Sequence, residues 1–327
     1  MKRFIIGIFI LSLFLDFSEI SVYGAEKLQV GFPSLATALS PAWVASKKGF
    51  WQKNGLDIEL IYLSSTGVTV PSLLSGSTQI LLGSDTESAI AMIKGADLIR
   101  LGATTNSLGS SLVTQQNISS FGQLKGKIIG IGSGGLSSLE VRLSQLLLDN
   151  GVDPKDDVKF LSIGGGPPAR VAALQKGLII AAMITPPYDF VAARAGLKIF
   201  SKVDVPLMAG GINTTRAFAQ KSRGTLLRFL KGYMEGIHYL LTHQEEPVRI
   251  FSDYLGNRDE EVLGHFYGEI SGRVERGLRP DPKSVRFLLD VVGRRYPQAR
   301  SVSETDYSDL SLLEEIHRSG FLEQIDR

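Results

Sequence analysis

Apolar positions recur along this chain with two periods, arranged in alternating blocks. Runs that are apolar throughout, or at every second position, read as strands at residues 28–32, 58–63, 79–82, 98–103, 111–114, 128–131, 158–163, 178–184 and 197–200. Segments with apolar residues three and four apart read as helices at 68–74, 86–94, 136–150, 167–176 and 187–195. The segment 136–150 is the most regular: Leu136, Leu139, Leu143, Leu146 and Leu147 share one face, and Gly151 stands at its end. In 40–60, Trp43, Val44, Phe50 and Trp51 fall at helical spacing, Gly49 and Gly55 interrupt, and Leu56, Ile58 and Leu60 alternate. Ser84 or Asp85 is placed to cap the helix 86–94. From about residue 222 only helices follow, at 225–241, 247–255, 260–270, 282–295 and 310–318. Strand–helix alternation predicts mostly parallel sheets with helices on both faces.

The first residues follow a different pattern. Met1-Lys2-Arg3 is basic, residues 4–15 are apolar apart from Gly7 and Ser12, and Val22-Tyr-Gly-Ala25 offers small residues for cleavage. The apolar run has the length of an export signal and falls short of the roughly 20 residues a membrane span needs. An uncleaved anchor is the alternative, and Asp16 and Glu19 argue against it. The expectation is a periplasmic protein, cleaved near Gly24 or Ala25, without a lipid anchor.

Composition narrows the chemistry. At 327 residues the chain has room for about two domains. A net charge of +2 gives no argument for nucleic acid or an anionic membrane surface. The absence of cysteine removes disulfides, thiolate metal sites and cysteine nucleophiles. The four histidines, His238, His243, His265 and His317, all lie in the helical tail and read as surface or core residues. No nucleophile elbow, zinc-protease helix or P-loop motif occurs. No catalytic, metal-ligating or cofactor-holding set is expected.

Five strand-to-helix loops are rich in glycine and hydroxyls: Pro33-Ser-Leu-Ala-Thr-Ala-Leu-Ser-Pro41, Ser64-Ser-Thr-Gly67, Ser84-Asp-Thr86, Gly130-Ile-Gly-Ser-Gly-Gly135 and Gly164-Gly-Gly-Pro-Pro168. The fourth has the G-x-G-x-x-G spacing of dinucleotide sites, but its strand is not the first and an exported protein meets few nicotinamide cofactors. A turn that needs glycine, or a loop that holds a compact anion on backbone N–H groups, are the remaining readings. In open α/β sheets ligands bind beyond the carboxyl ends of strands. The candidate ligand-binding residues are therefore Ser34, Ser40, Ser64, Ser65, Thr66, Ser84, Asp85, Ser133, Gly134, Ser137, Gly165 and Thr185. Trp43 and Tyr188 are candidates for an apolar wall. Recognition is expected through hydroxyls and backbone N–H groups; Arg170 is the nearest strong cation and reads as a packing residue.

The wording of several stretches resembles the nitrate/sulfonate/taurine-type substrate-binding proteins of ABC importers, a group similar to thiamine-pyrimidine synthases. These are Ser40-Pro-Ala-Trp-Val-Ala-Ser-Lys-Lys-Gly-Phe-Trp51, Leu73-Leu-Ser-Gly-Ser-Thr-Gln-Ile80, Leu124-Lys-Gly-Lys-Ile-Ile-Gly130 and Gly164-Gly-Gly-Pro-Pro-Ala-Arg-Val-Ala-Ala-Leu174. Ile180 departs from the aspartate that the family commonly has before Ala181-Ala182, which puts equivalence of the nearby pocket in doubt. The resemblance implies a type II periplasmic-binding-protein fold: two α/β lobes, a central cleft and a helical tail. It implies lobe I at 26–114 and 206–327, lobe II at 115–205, and hinges near 112–115 and 205–211 with Gly210-Gly211 as a swivel. It implies a monomeric receptor for a small-molecule ligand of the sulfonate, nitrate, carboxylate or pyrimidine class, with a membrane permease of an ABC importer as partner and no nucleic acid. An enzyme on the same fold, a lyase or a pyrimidine-precursor synthase, is the alternative.

Overall fold

The computed structural model describes residues 25–63, 66–132 and 138–327. The expected export signal lies outside the described residues, apart from Ala25. Ten strands form two sheets. The first has the order β2 (Leu56–Tyr62), β1 (Glu26–Phe32), β3 (Ile80–Leu82), β10 (Ala209–Thr215), β4 (Leu98–Thr105). The second has the order β7 (Lys159–Ser162), β6 (Ile128–Ile131), β8 (Ala181–Ile184), β5 (Leu108–Thr114), β9 (Lys198–Val205).

The two sheets share one plan. Three strands at one side run parallel, β2-β1-β3 and β7-β6-β8. The fourth strand runs against its neighbours and has just arrived from the other sheet: β10 lies between β3 and β4, and β5 between β8 and β9. The chain therefore crosses between sheets at residues 106–107 and again at 206–208. Two expectations change. Residues 108–114 belong to the second sheet, so the first crossing precedes the expected 112–115. Gly210 and Gly211 sit inside β10, in the middle of the first sheet, and are not a swivel.

Helices α1 (Ser40–Lys47), α2 (Phe50–Lys53), α3 (Thr66–Leu74) and α4 (Asp85–Ile93) connect strands of the first sheet. Helices α5 (Ser138–Asp149), α6 (Gly166–Gln175) and α7 (Tyr188–Arg194) do so in the second. The tail supplies α8 (Arg216–Lys221), α9 (Arg223–Thr242), α10 (Glu245–Leu255), α11 (Glu260–Ser271), α12 (Pro282–Gly293), α13 (Glu304–Tyr307), α14 (Ser311–Arg318) and α15 (Phe321–Ile325). The pair α1–α2 breaks at Gly49, whose φ of 70° suits glycine.

Close backbone approach fixes α9 against the start of the chain. A Cβ on Gly232 would lie 2.5 Å from Trp51, and one on Gly236 would lie 2.8 Å from Pro41 O and Ala45. The indole of Trp51 stacks on Phe229 and donates to the Phe229 carbonyl at 3.0 Å. Leu226, Phe229, Leu230, Tyr233 and Ile237 thereby join Leu28, Val30, Leu56 and Ile80 in one core. The tail is thus part of the first unit's core. Among the described residues no helix is long and apolar enough to cross a membrane.

Candidate functional site

The strand directions locate the site. Ser111 of β5 pairs with Ile184, the last residue of β8, so β5 enters the second sheet at the carboxyl end of β8. Thr105, which ends β4, leads directly to this point. β4 runs parallel to β3, because both oppose β10. The carboxyl ends of β1, β2 and β3 and those of β6, β7 and β8 therefore open towards the same junction, beside the two crossings.

On the first unit's side, Ser34 is half-buried in the loop after β1. Ser40 is buried, and its hydroxyl donates to Thr37 O at 2.8 Å, closing the turn that enters α1. Ser84 holds a left-handed conformation, φ 51°, and donates to Thr69 Oγ1 at 3.0 Å. Asp85 opens α4 with an internal commitment: its Oδ1 lies 2.7 Å from Arg100 Nη1 and accepts from Gly211 N at 3.1 Å. Thr66 begins α3. Ser64, Ser65, Ser133, Gly134 and Ser137 lie outside the described residues.

Trp43 is placed differently from the expectation. It is 1% exposed and stacks on Tyr254 at 4.8 Å and on Phe266 at 6.0 Å. It fills the core between α1, α10 and α11, so it offers no wall to a ligand. The helical spacing of Trp43 records this packing.

On the second unit's side, Gly165 and Gly166 take φ of 83° and 72° to start α6. Thr185 and Tyr188 are half-buried, joined by Tyr188 N donating to Thr185 O at 3.0 Å. Gly130 is a packing glycine, since a Cβ there would meet Ile179 at 2.4 Å. The glycine pattern of this loop is explained at Gly130 by that close approach.

Four charged residues at this end were not legible as site residues. Ser111 Oγ donates to Asp189 Oδ2 at 2.8 Å, and His265 Nε2 lies 3.5 Å from Asp189 Oδ1. His265 comes from α11 of the tail and stacks on Phe190 at 5.1 Å, so this group spans the two units. Burial alone would raise the Asp189 carboxyl; the neighbouring His265 and hydrogen bonds from Ser111 and the Phe190 N–H outweigh it and hold it below 3.8. The Asp189 carboxylate beside it raises His265 above 6.5. Arg142 donates to Ser110 Oγ at 3.0 Å, and burial lowers its guanidinium to about 10. Arg170 is 4% exposed, and its Nε donates to Met183 O at 3.2 Å. The sequence shows each residue type; it does not show that distant helices bury them together.

A larger cavity, about 640 Å³, lies on another face, between the ends of α1 and α9 and the start of α10. Part of its charge is paired within the lining, as in Lys48–Glu246 at 2.7 Å, and no strand residue lines it. Among the described residues no three His, Asp or Glu side chains converge as a metal site would require.

The decisive comparison is with protein families. The NMT1/THI5-like family model matches residues 36–247. The chain belongs to the NMT1/THI5-like family. That span begins in the loop after β1 and ends in α10, so it includes both sheets and every strand end at the junction apart from β1 itself. The Bacillus subtilis (strain 168) protein YtlA, named as a binding protein, is 28% identical over 159 residues. This match covers 46% of the chain and 47% of YtlA, so the chain spans about half the length of this curated relative. The periplasmic aliphatic sulphonate binding protein SsuA of Escherichia coli superposes with a TM-score of 0.69 at 17% identity, covering 88% of this chain and 91% of SsuA. The alkanesulfonate-binding protein SsuA of Xanthomonas axonopodis pv. citri, bound to MOPS, gives 0.67 at 16%, covering 85% and 94%. The desulfurization enzyme DszB gives 0.68 at 14%, covering 89% and 99%. These likenesses establish the periplasmic-binding-protein fold for this family member.

Proposed function

We propose that this NMT1/THI5-like protein is an exported solute-binding receptor. It captures a small polar or anionic organic molecule, of the sulfonate, nitrate, carboxylate or pyrimidine class, between its two units. It then delivers that molecule, as a monomer in the periplasm, to the permease of an ABC importer. One observation carries the reading: two sheets of the same plan turn their carboxyl strand ends to one junction, beside a double crossing on which the units can move. Binding names among the relatives, YtlA and the two SsuA proteins, support it.

A second reading, an enzyme on this fold, has the DszB likeness and the His265–Asp189 pair in its favour. The order of the groups weighs against it. The Asp189 carboxylate stands between Ser111 and His265, so the imidazole does not take the serine proton, as activation of a nucleophile requires.

Titration calorimetry with ethanesulfonate, nitrate, benzoate and an aminopyrimidine, followed by mass spectrometry of the recovered solute, tests both. The receptor reading expects at least one solute to bind and to be recovered unchanged. Binding of none sinks it, and chemical conversion favours the enzyme.

A further inference from the structure

We propose that the cavity at the end of α4 is a second binding site, separate from the junction, and that it takes a small zwitterion with an apolar tail, of the α-amino-acid class. The cavity measures about 380 Å³, within the roughly 300–1,000 Å³ of small-molecule sites. Met92 and Ile93 of α4, Leu98 of β4, Val302 and Tyr307 give it an apolar wall. Its charged residues are Asp97, Arg216 and Asp306. Leu98 begins β4, and Thr105, which ends it, leads to the first crossing, so the cavity lies at the other end of the first unit from the junction. Thr215 of β10, paired with Leu98, brings Arg216 to the same end.

Arg216 stretches between the two acids. Its backbone N–H donates to Asp97 O at 3.3 Å, and its Nη2 donates to Asp306 O at 2.7 Å. Both partners are neutral carbonyls. Among the described residues no carboxylate comes within 4.0 Å of this guanidinium, and its Nε and Nη1 have no hydrogen-bond partner. The Asp97 carboxylate accepts from Ala217 N at 3.3 Å on Oδ2, and the Asp306 carboxylate accepts from Ser303 Oγ at 2.6 Å on Oδ2. Each leaves its Oδ1 without such a partner among the described residues. Tyr307 on the wall is 1% exposed, and its hydroxyl is unpartnered as well. Buried hydroxyls are rarely left so.

The signs of these charges select the ligand. A lone anion would satisfy Arg216 but meet two carboxylates. A lone cation would satisfy the acids and leave the guanidinium unmatched. A carboxylate and an ammonium on one carbon match both signs. The carboxylate takes the Arg216 fork, and the ammonium stands against Asp97 or Asp306. The tail then covers the apolar wall and supplies most of the affinity, because exposed ion pairs are individually weak.

Titration calorimetry with L-leucine and three relatives tests this. The amine 3-methylbutylamine lacks the carboxylate, 4-methylpentanoate lacks the ammonium, and glycine lacks the tail. The parent should bind leucine. Loss of either charge should weaken binding about three- to tenfold, and loss of the tail at least about tenfold. Arg216→Gln should weaken leucine about three- to tenfold and leave the amine unchanged, which isolates the contact between Arg216 and the carboxylate. Asp97→Asn joined to Asp306→Asn, which keeps the acceptor for Ala217 N, should weaken leucine and the amine alike. If the parent binds no leucine, or binds it no better than the amine or glycine, the proposal is wrong. Equal leucine affinity in the parent and Arg216→Gln overturns it too, and so does an amine affinity that ignores the double variant. Should the double variant not fold, Arg216→Gln decides alone.

Discussion

Gly211 occupies a position where only glycine fits, and the reason is a charge pair. A Cβ there would lie 2.2 Å from Asp85 Oδ1 and 2.5 Å from Arg100 Nη1. Arg100 is 0% exposed, so Asp85 is its only carboxylate partner among the described residues. Gly211→Ala should cost about 3 kcal/mol in urea unfolding, by overpacking and by parting the pair. Asp85→Ala should cost about 3–5 kcal/mol, because it strands a buried cation. Arg100→Met added to Asp85→Ala should recover most of that loss; additive losses would show that the pair is not the reason. His265 gives a pH signature. Its raised pKa means that its contribution is complete below about 6.5 and is lost as pH rises through the higher folded value. Glu269 acts in the same sense and Lys202 opposes. Asp189, held below 3.8, contributes above that value and loses its part as pH falls through the lower folded value. Both contributions are present between 3.8 and 6.5. The stability gap between parent and His265→Gln should therefore be widest between 3.8 and 6.5 and shrink as pH rises through the higher folded value of His265. A gap that ignores pH would mean that the ring acts only by stacking on Phe190.

At the scale of elements, α1 shows how a helix can be read correctly and its role misjudged. Trp43 and Val44 mark an apolar face, and that face meets α9, α10 and α11 in the core. Trp43→Ala should lower stability by about 3–5 kcal/mol. Trp43→Phe should leave the affinity for any solute found above within about twofold, since no ligand touches the ring; a large loss of affinity with stability intact would return Trp43 to the site. Strands and helices with regular spacing, such as β1, β8, α5 and α9, were legible because burial selects the same positions that periodicity displays. β10 was not. Ala209-Gly-Gly-Ile-Asn-Thr-Thr215 has no apolar alternation, and its strand form is imposed by neighbours. Gly83 N donates to Gly211 O at 2.8 Å, and Asn213 Nδ2 donates to Gly83 O at 3.0 Å. Missing β10 moved the crossings, and with them the boundary between units. The loops of the candidate site were legible as small-residue connections. The charged groups behind them were not, because α11 carries His265 to Asp189 and α6 carries Arg170 under α5 only in the folded chain.

For the whole molecule, the receptor reading makes the crossings at 106–107 and 206–208 the places where the two units turn, and Arg273, just beyond α11, reaches the first of them. Arg273 Nη1 donates to Asp204 Oδ2 at 2.7 Å and to Ser107 Oγ at 3.1 Å, while its Nε donates to Glu269 Oε2 at 3.1 Å. One guanidinium thus ties the tail to the first crossing and to the end of β9. Further along, Arg194 of α7 meets Asp259 at 2.6 Å, and His265 meets Asp189, so the same edge is tied at three places. On the receptor reading, an edge held at three places would act as the pivot and leave the opposite side of the junction to open and close. Solute contacts on both units would then shift the population towards the closed form. Arg273 and its acids are partly exposed, so the clamp is worth about 1 kcal/mol at most. Arg273→Gln should keep the fold and weaken solute binding by about two- to fivefold, as a smaller fraction of molecules is competent to close. Small-angle scattering with and without saturating ethanesulfonate, or whichever probe binds, reads this directly. The parent's radius of gyration should fall on binding. Arg273→Gln should start from a larger value and reach the same closed one. If the parent does not contract, the crossings do not act as a hinge. If the variant follows the parent at every solute concentration, Arg273 is an ion pair on the surface with no hold on the motion.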